Sequence, residues 1–245
     1  MVFQSRQSEK KHFNQLAAAY ESLYDMDKPA AKNKIRNLSR DFSSWLAGAA
    51  PGPLLEIGAG TGFYTRNLNR HITGRKYIAS DISIEMIKIA KATMESDNNV
   101  IWEAADCLSL PFPDRTVACV TGHGIIHHLS VEQSVAEISR VLKRGGRIAF
   151  YEPNILNPYV FLVKTVPAFR PAGDTPDESA INPFSLAALL KQYSFHQINI
   201  IPCEFTMNCL PEHLVSPVEK LSRFLEKLPI LRFMGGSLRI TAEIH

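Results

Sequence analysis

The sequence predicts an α/β protein, a doubly wound sheet of seven strands, mostly parallel with one antiparallel closing strand, and helices on both faces. Five short apolar runs, at 53–57, 76–80, 100–104, 116–121 and 146–152, alternate with stretches of helical periodicity. Such alternation favours parallel strands joined by right-handed crossovers. Three glycines at alternate positions, Gly58, Gly60 and Gly62, follow the first run at once. Two late runs, His196–Phe205 and Ser237–Ile244, pair as the closing strands. A length of 245 residues suits one such domain with additions.

The elements follow in order. His12 to Tyr24 reads as helical and Ile35 to Leu46 as a second helix. Residues 1–50 are therefore expected to form a helical arm ahead of the main domain, 51–245. Leu54, Leu55 and Ile57 make a buried strand. The glycines then let the chain turn sharply and bring bare backbone against a ligand. A helix start comes next, with free N–H groups facing the same crevice. This is a Rossmann-like arrangement, with a nucleotide-type pocket at the carboxyl end of the first strand.

The spacing narrows the ligand. A dinucleotide fingerprint starting at Gly58 needs glycine at 63, where Phe63 stands. Glu56 adds a negative charge just before the loop, a poor neighbour for a pyrophosphate and a good one for a cation. Asp81, at the tip of the second strand, can accept both hydroxyls of a ribose. Ser83 reads as an N-cap, with Glu85 in the first turn of the helix that carries Met86, Ile87 and Ala90. Asp106 follows the third strand and can accept from an exocyclic amine, while the Cys107 N–H can donate to a ring nitrogen. Taken singly, these carboxylates are ordinary turn residues and Ile82 is a core residue. Their joint appearance after three successive strands points to a cationic adenosine.

Further along, Ser130-Val-Glu-Gln133 reads as a capping box whose helix runs to Lys143-Arg144 before Gly145. Asn182-Pro183 opens another helix, which ends at Tyr193. Two insertions remain, at about 155–181 and 207–236. The first holds Pro158, Pro167, Pro171 and Pro176 with Arg170, Asp174, Asp177 and Glu178, and reads as a long functional loop. In the second, Ser216-Pro217-Val218-Glu219 is a capping box, and apolar residues recur at Val218, Leu221, Phe224, Leu225 and Leu228 until Pro229. A packed amphipathic helix is the plain reading. A lid is one alternative. A helix resting on a membrane surface, with Lys220, Arg223, Lys227 and Arg232 nearby, is the other.

Composition excludes several classes. With 45% apolar and 21% charged residues the chain is globular, and a formal charge of +3 without a basic stripe gives no nucleic-acid footprint. Cys107, Cys119, Cys203 and Cys209 show no CxxC and no metal spacing, so free thiols in a cytoplasmic, reducing setting are expected. The first residues are too charged for a signal peptide, and no apolar run reaches spanning length.

The runs LLEIGAGTGFYT (54–65), IASDIS (78–83), AADCLSLPFPDRTVACV (104–120), HHLS (127–130) and EISRVLKRGGRIAFYEPN (137–154) resemble class I S-adenosylmethionine-dependent methyltransferases, of the broad group that includes quinone-biosynthesis enzymes. The resemblance covers roughly the central two-fifths of the chain. It implies S-adenosylmethionine as cofactor, with Gly58, Ala59 and Gly60 bordering its methionine part and Glu56 near its amino group. It puts Asp81 on the ribose, Ile82 on the adenine face, and Asp106 with Cys107 on the adenine edge. The N-terminal arm would fold over the cofactor. The expected acceptor is a small molecule, a lipid or a sugar precursor, with a tRNA methyltransferase or a non-catalytic cofactor binder as alternatives. A hydroxyl acceptor needs a base. His127 is expected first and His123 second, and Tyr20, Tyr24, Glu152 and Asn154 are expected to face the acceptor. No metal is expected, because no Cys, Asp or Glu stands close to these histidines in sequence with ligand spacing.

Overall fold

In the computed structural model, residues 6–94, 99–171, 174, 178–206, 208, 210–228 and 230–245 are described. Among them the sheet strands are β1 (Leu54–Ile57), β2 (Tyr77–Asp81), β3 (Val100–Ala104), β4 (Val117–His123), β5 (Leu142–Pro153), β6 (Phe195–Cys203) and β7 (Ser237–Ile244). Their order is β3-β2-β1-β4-β5-β7-β6. β1 pairs parallel with both β2 and β4, so the strand order reverses there and opens a crevice at the carboxyl ends. β7 runs antiparallel to both β5 and β6 and is the one reversed strand.

Alternation along each strand builds two cores. Ile148 and Phe150 of β5 face a layer with Leu55, Ile57, Val120 and Ile240, closed by α6 (Val131–Val141) and α8 (Pro183–Gln192). Ala149 and Tyr151 face the opposite layer with Leu54 and Tyr77, closed by Ile35, Phe42 and Leu46 of α3 (Pro29–Ala47) and Leu68 of α4 (Phe63–Leu68). β1 is buried on both faces, which is why its run is continuously apolar apart from Glu56.

The arm comprises α1 (Arg6–Leu16), α2 (Tyr20–Leu23) and α3. It is fastened at two points, the start of α5 and the glycine loop with α4. Ser83 Oγ, while capping Met86 of α5 (Ile84–Thr93), donates to Asn14 Oδ1 at 2.7 Å. Glu21 Oε1 accepts from Thr61 Oγ1 at 2.7 Å and from Arg66 at 2.9 Å.

Several boundaries differ from the sequence expectation, among them the start of α3, at Pro29 instead of Ile35. α6 stops at Val141 instead of reaching Lys143-Arg144, because Leu142 pairs with Val117 and β5 takes those residues. Gly145, at φ 69°, gives the bend within this long strand. α9 (Glu212–Leu225) starts one turn before the Ser216 capping box, with Pro217 inside it and Val215 buried as the anchor of the extra turn. The first insertion is also more ordered than a bare loop. α7 (Pro158–Thr165) is capped by Asn157, whose Oδ1 accepts from Val160 N at 2.9 Å, and Ile181 returns to bridge Asn154. Pro176, Asp177, Cys209 and Pro229 lie outside the described residues.

Candidate functional site

A cavity with about 560 Å³ of empty space, part of it open to solvent, sits at the carboxyl ends of β1, β2 and β4 and under the arm. Gly58, Gly60, Asp81, Ile82, Cys107 and His123 supply its floor and walls, and Glu9, Phe13 and Tyr20 its roof. Met86, Ile125, His128 and Leu129 complete it.

The glycine loop is shaped by two different demands. At Gly58 (φ 65°) a Cβ would stand 2.5 Å from Ile125 Cγ1, so the loop must pack bare against the turn after β4. At Gly60 (φ 53°) a Cβ would meet nothing within 4 Å. That position borders the cavity, and its open space is room for a ligand. Ala59 is buried and its N–H donates to Ser80 O at 2.9 Å, away from the cavity.

Asp81 ties the loop to β2. Its Oδ2 accepts from Gly60 N and its Oδ1 from Ser83 N, both at 2.8 Å. Burial raises its pKa, while these two N–H groups pull against that shift. Each oxygen keeps a second lone pair for a ligand hydroxyl. Ile82 and Cys107 line the cavity. Asp106 does not line it, since its Oδ1 accepts from Leu108 N at 2.8 Å. Glu56 is also out of the lining. It is buried beneath the glycine loop, where its Oε2 accepts from Tyr77 Oη at 2.6 Å and burial pushes its pKa up to about 7.

The acceptor-facing expectations divide. Tyr20 lines the cavity, and burial raises its hydroxyl pKa, so the phenol stays neutral. Tyr24 stands behind it, ring centroids 4.9 Å apart, and does not line the cavity. Glu152 and Asn154 face backbone instead of an acceptor. Glu152 Oε1 accepts from Ile125 N at 3.0 Å and Ile126 N at 2.9 Å, and its Oε2 lies 2.8 Å from His127 Nδ1. Burial opposes its charge, but His127 and these N–H groups outweigh that and hold its carboxyl below the usual range. Asn154 Nδ2 donates to Phe233 O and Gly235 O, which fastens the second insertion to the end of β5.

The two candidate bases are not equivalent. His127 is buried, is held by Glu152, and does not line the cavity. His123 lines it, stacked on Tyr151 with ring centroids 5.1 Å apart and Tyr64 at 5.8 Å. Its Nε2 is buried without a hydrogen-bond partner, and burial lowers its pKa to about 4. It is therefore a neutral imidazole at pH 7. Of the two, His123 is the one that lines the cavity.

Carboxylates do stand beside these histidines, contrary to the reading from sequence neighbours. The fold brings in Glu152 and also Glu178, whose Oε1 lies 3.1 Å from His128 Nδ1. One ligand atom from each of His127, His128 and Glu178 lies within 4.8 Å of the others. Lys164 Nζ is 2.7 Å from Glu178 Oε2 and 2.6 Å from Asp174 Oδ2, so the glutamate is already neutralised. We read this group as the ion-pair cluster that fastens the first insertion over the site.

Sequence reasoning missed Glu9, Phe13, Met86, Ile125, His128 and Leu129 as cavity residues, and Glu21 as the loop's tether. The arm's contribution had a signal only as a helix face, since Glu9, Phe13 and Tyr20 recur at helical spacing.

The Glu152 peg carries a stability prediction. A carboxylate with a depressed folded pKa contributes stability above its unfolded pKa of about 4.3, lost as pH falls through the folded value. Burial lowers the pKa of His127, so the unfolded chain takes up that proton below about pH 6.5 and stability falls there too. Both push toward acid lability. Glu152→Gln turns a donor toward buried N–H groups and is expected to cost about 1–3 kcal/mol in urea unfolding at pH 7. A change within about 0.5 kcal/mol contradicts the peg.

Residues 55–150 match a family model described as a methyltransferase domain. The ubiquinone/menaquinone biosynthesis C-methyltransferase of Teredinibacter turnerae is 31% identical over 146 residues, 57% of this chain and 57% of that protein. The protein of the same name from Stutzerimonas stutzeri is 33% identical over 156 residues, 61% of this chain and 59% of the relative. The chain thus matches less than two thirds of the length of these curated relatives. Among solved structures, a SAM-dependent methyltransferase from Archaeoglobus fulgidus is similar with a TM-score of 0.63 at 19% identity, over 91% of this chain and 99% of that one. A geranyl diphosphate methyltransferase solved with GPP and sinefungin gives 0.57 at 17%, over 84% and 77%. These structural likenesses show a shared fold.

Proposed function

We propose that this chain is a class I S-adenosylmethionine-dependent methyltransferase and that it methylates a small aromatic acceptor of the quinone-precursor class. The observation that carries this is the cavity itself. Gly60 opens onto it beside an anchored Asp81, and an unpartnered imidazole nitrogen stands in its wall.

The residues fit the adenosyl group. The bare backbone at Gly60 leaves the space that a side chain would fill, and Asp81 has lone pairs for sugar hydroxyls. Ile82 offers an apolar wall for a base, and Cys107 stands next to it in the cavity lining. The cofactor supplies an activated methyl on a sulfonium, so no covalent enzyme intermediate is needed. The chain's work is to orient the acceptor and exclude water, which can lower the barrier by several kcal/mol of the roughly 7–11 available from positioning. Phe13 and Tyr20 close the roof. His123 Nε2 takes a proton from an acceptor hydroxyl, which raises electron density at the neighbouring ring carbon for attack. The relatives' printed names, C-methyltransferases, favour carbon as the methylated atom.

Among the described residues no helix is long and apolar enough to cross a membrane. Among the described residues, Cys107, Cys119 and Cys203 are buried and in no disulfide, in keeping with a reducing setting.

Asp81→Ala tests the cofactor reading. Losing both its loop contacts and its free lone pairs should weaken S-adenosylmethionine binding by about 10–100-fold in a thermal-shift titration. Unchanged affinity removes Asp81 from the site. The acceptor class is tested by turnover on hydroquinones with and without a ring hydroxyl next to the open carbon. Turnover that ignores this hydroxyl counts against His123 as base.

A further inference from the structure

We propose that the two insertions together form a docking surface for an anionic phospholipid bilayer, beside the mouth of the cavity. Large apolar side chains point outward from α7, from the start of α8 and from 230–234. Tyr159 is 60% exposed, Phe184 63% and Ile230 84%, with Phe161, Leu231 and Met234 exposed beside them. These segments are joined in one surface. Asn157 Nδ2 donates to Met234 O, Asn154 Nδ2 donates to Phe233 O at 3.0 Å, and the Phe184 and Phe233 rings lie 6.1 Å apart. Scattered apolar residues are ordinary on a soluble surface, whereas a contiguous patch marks a contact.

α9 extends the patch and sorts its charges. Leu221 and Phe224 are exposed, interleaved with exposed Lys220, Arg223 and Lys227. Arg232 is also exposed, with its guanidinium 5.3 Å from the Phe233 ring centroid. Of the acids of α9 and the turn after it, Glu219 and Glu226 turn inward, and Glu212, at the far end of the helix from Lys227 and Arg232, is exposed. Glu226 accepts from Glu204 N and Ser222 Oγ, both at 3.1 Å, and the Glu219 and Glu226 side chains are only 23% and 21% exposed. Between 155 and 171 the sequence holds no acidic residue at all. Apolar side chains flanked by outward bases are what an interfacial helix presents to anionic headgroups. A second copy of this chain is a poor occupant, because a two-fold contact sets the same four bases against themselves.

The patch adjoins the site through the cluster already described. Lys164 of α7 holds Glu178, and Glu178 meets His128 in the cavity wall. The bilayer contact stands on the exposed residues themselves and does not rest on the methyl-transfer reading.

The test is flotation of the full chain with vesicles, without cofactor or acceptor. The chain should float with equimolar phosphatidylglycerol/phosphatidylcholine vesicles, far less with phosphatidylcholine alone, and be released by salt. Lys227→Glu combined with Arg232→Glu should weaken partition on the order of tenfold or more. Phe224→Ser combined with Ile230→Ser should do the same, while Ile101→Ser, at an exposed residue of edge strand β3, should not. All these positions are solvent-facing, and matched thermal melts will confirm folding. Failure to float with the anionic vesicles overturns the proposal, as does equal flotation by every variant. A dimer in sedimentation that Ile230→Ser dissociates, with no flotation, would assign the patch to self-association instead. Turnover does not enter the readout, so failure here leaves the proposed reaction standing.

Discussion

Gly60→Val should abolish S-adenosylmethionine binding while the fold stays in place. The valine branches enter space that no protein atom occupies within 4 Å of the Cβ position, and that space belongs to the cavity. The stability cost comes from the left-handed backbone at φ 53°, about 1–2 kcal/mol for a residue with a Cβ. Affinity should fall by more than about 100-fold, because a ligand cannot overlap a side chain. Gly58→Ala makes the contrast. Its Cβ would lie 2.5 Å from Ile125 Cγ1, so it should lower the melting temperature more than Gly60→Val does. If Gly60→Val binds normally in equilibrium dialysis, the loop faces something other than the cofactor.

His123→Ala should reduce turnover by about 10²–10⁴-fold with little change in cofactor affinity, the range for losing a general base. The imidazole lines the cavity with a buried, unpartnered Nε2 and a pKa held down to about 4 by burial. In the wild type kcat/KM should then stay flat from neutral pH downward and fall only as pH approaches about 4. His127→Ala should behave differently. It deprives Glu152 of its 2.8 Å partner, so the first effect is lost stability, with turnover falling in step with the folded fraction. Equal losses of turnover and cofactor affinity in His123→Ala would assign His123 to architecture.

The glycine loop and Asp81 were legible in the sequence because their chemistry is local. Each is marked by one short run of sequence at a strand end, and the fold brings Gly58, Gly60 and Asp81 to one cavity. The strands and the single reversed one among them followed from local alternation, whereas their order across the sheet is a property of the fold. Glu152 and Asn154 were visible as polar residues at a strand end, but not their direction. Each is aimed by a partner far along the chain, Ile125 and Ile126 for Glu152 and Phe233 with Gly235 for Asn154. The same limit hid Glu178, which reaches His128 only after the first insertion folds back through the Ile181 bridge to Asn154. Periodicity also misjudged the end of α6, because the pairing of Leu142 with Val117 outweighs the helical preference of the residues after it.

Titration calorimetry of the full chain with S-adenosylmethionine bears most directly on whether the crest of this sheet is a cofactor site. A saturating isotherm with one site per chain, lost in Gly60→Val, is the predicted result. A flat isotherm with this ligand and with S-adenosylhomocysteine, on protein shown to be folded, would contradict it.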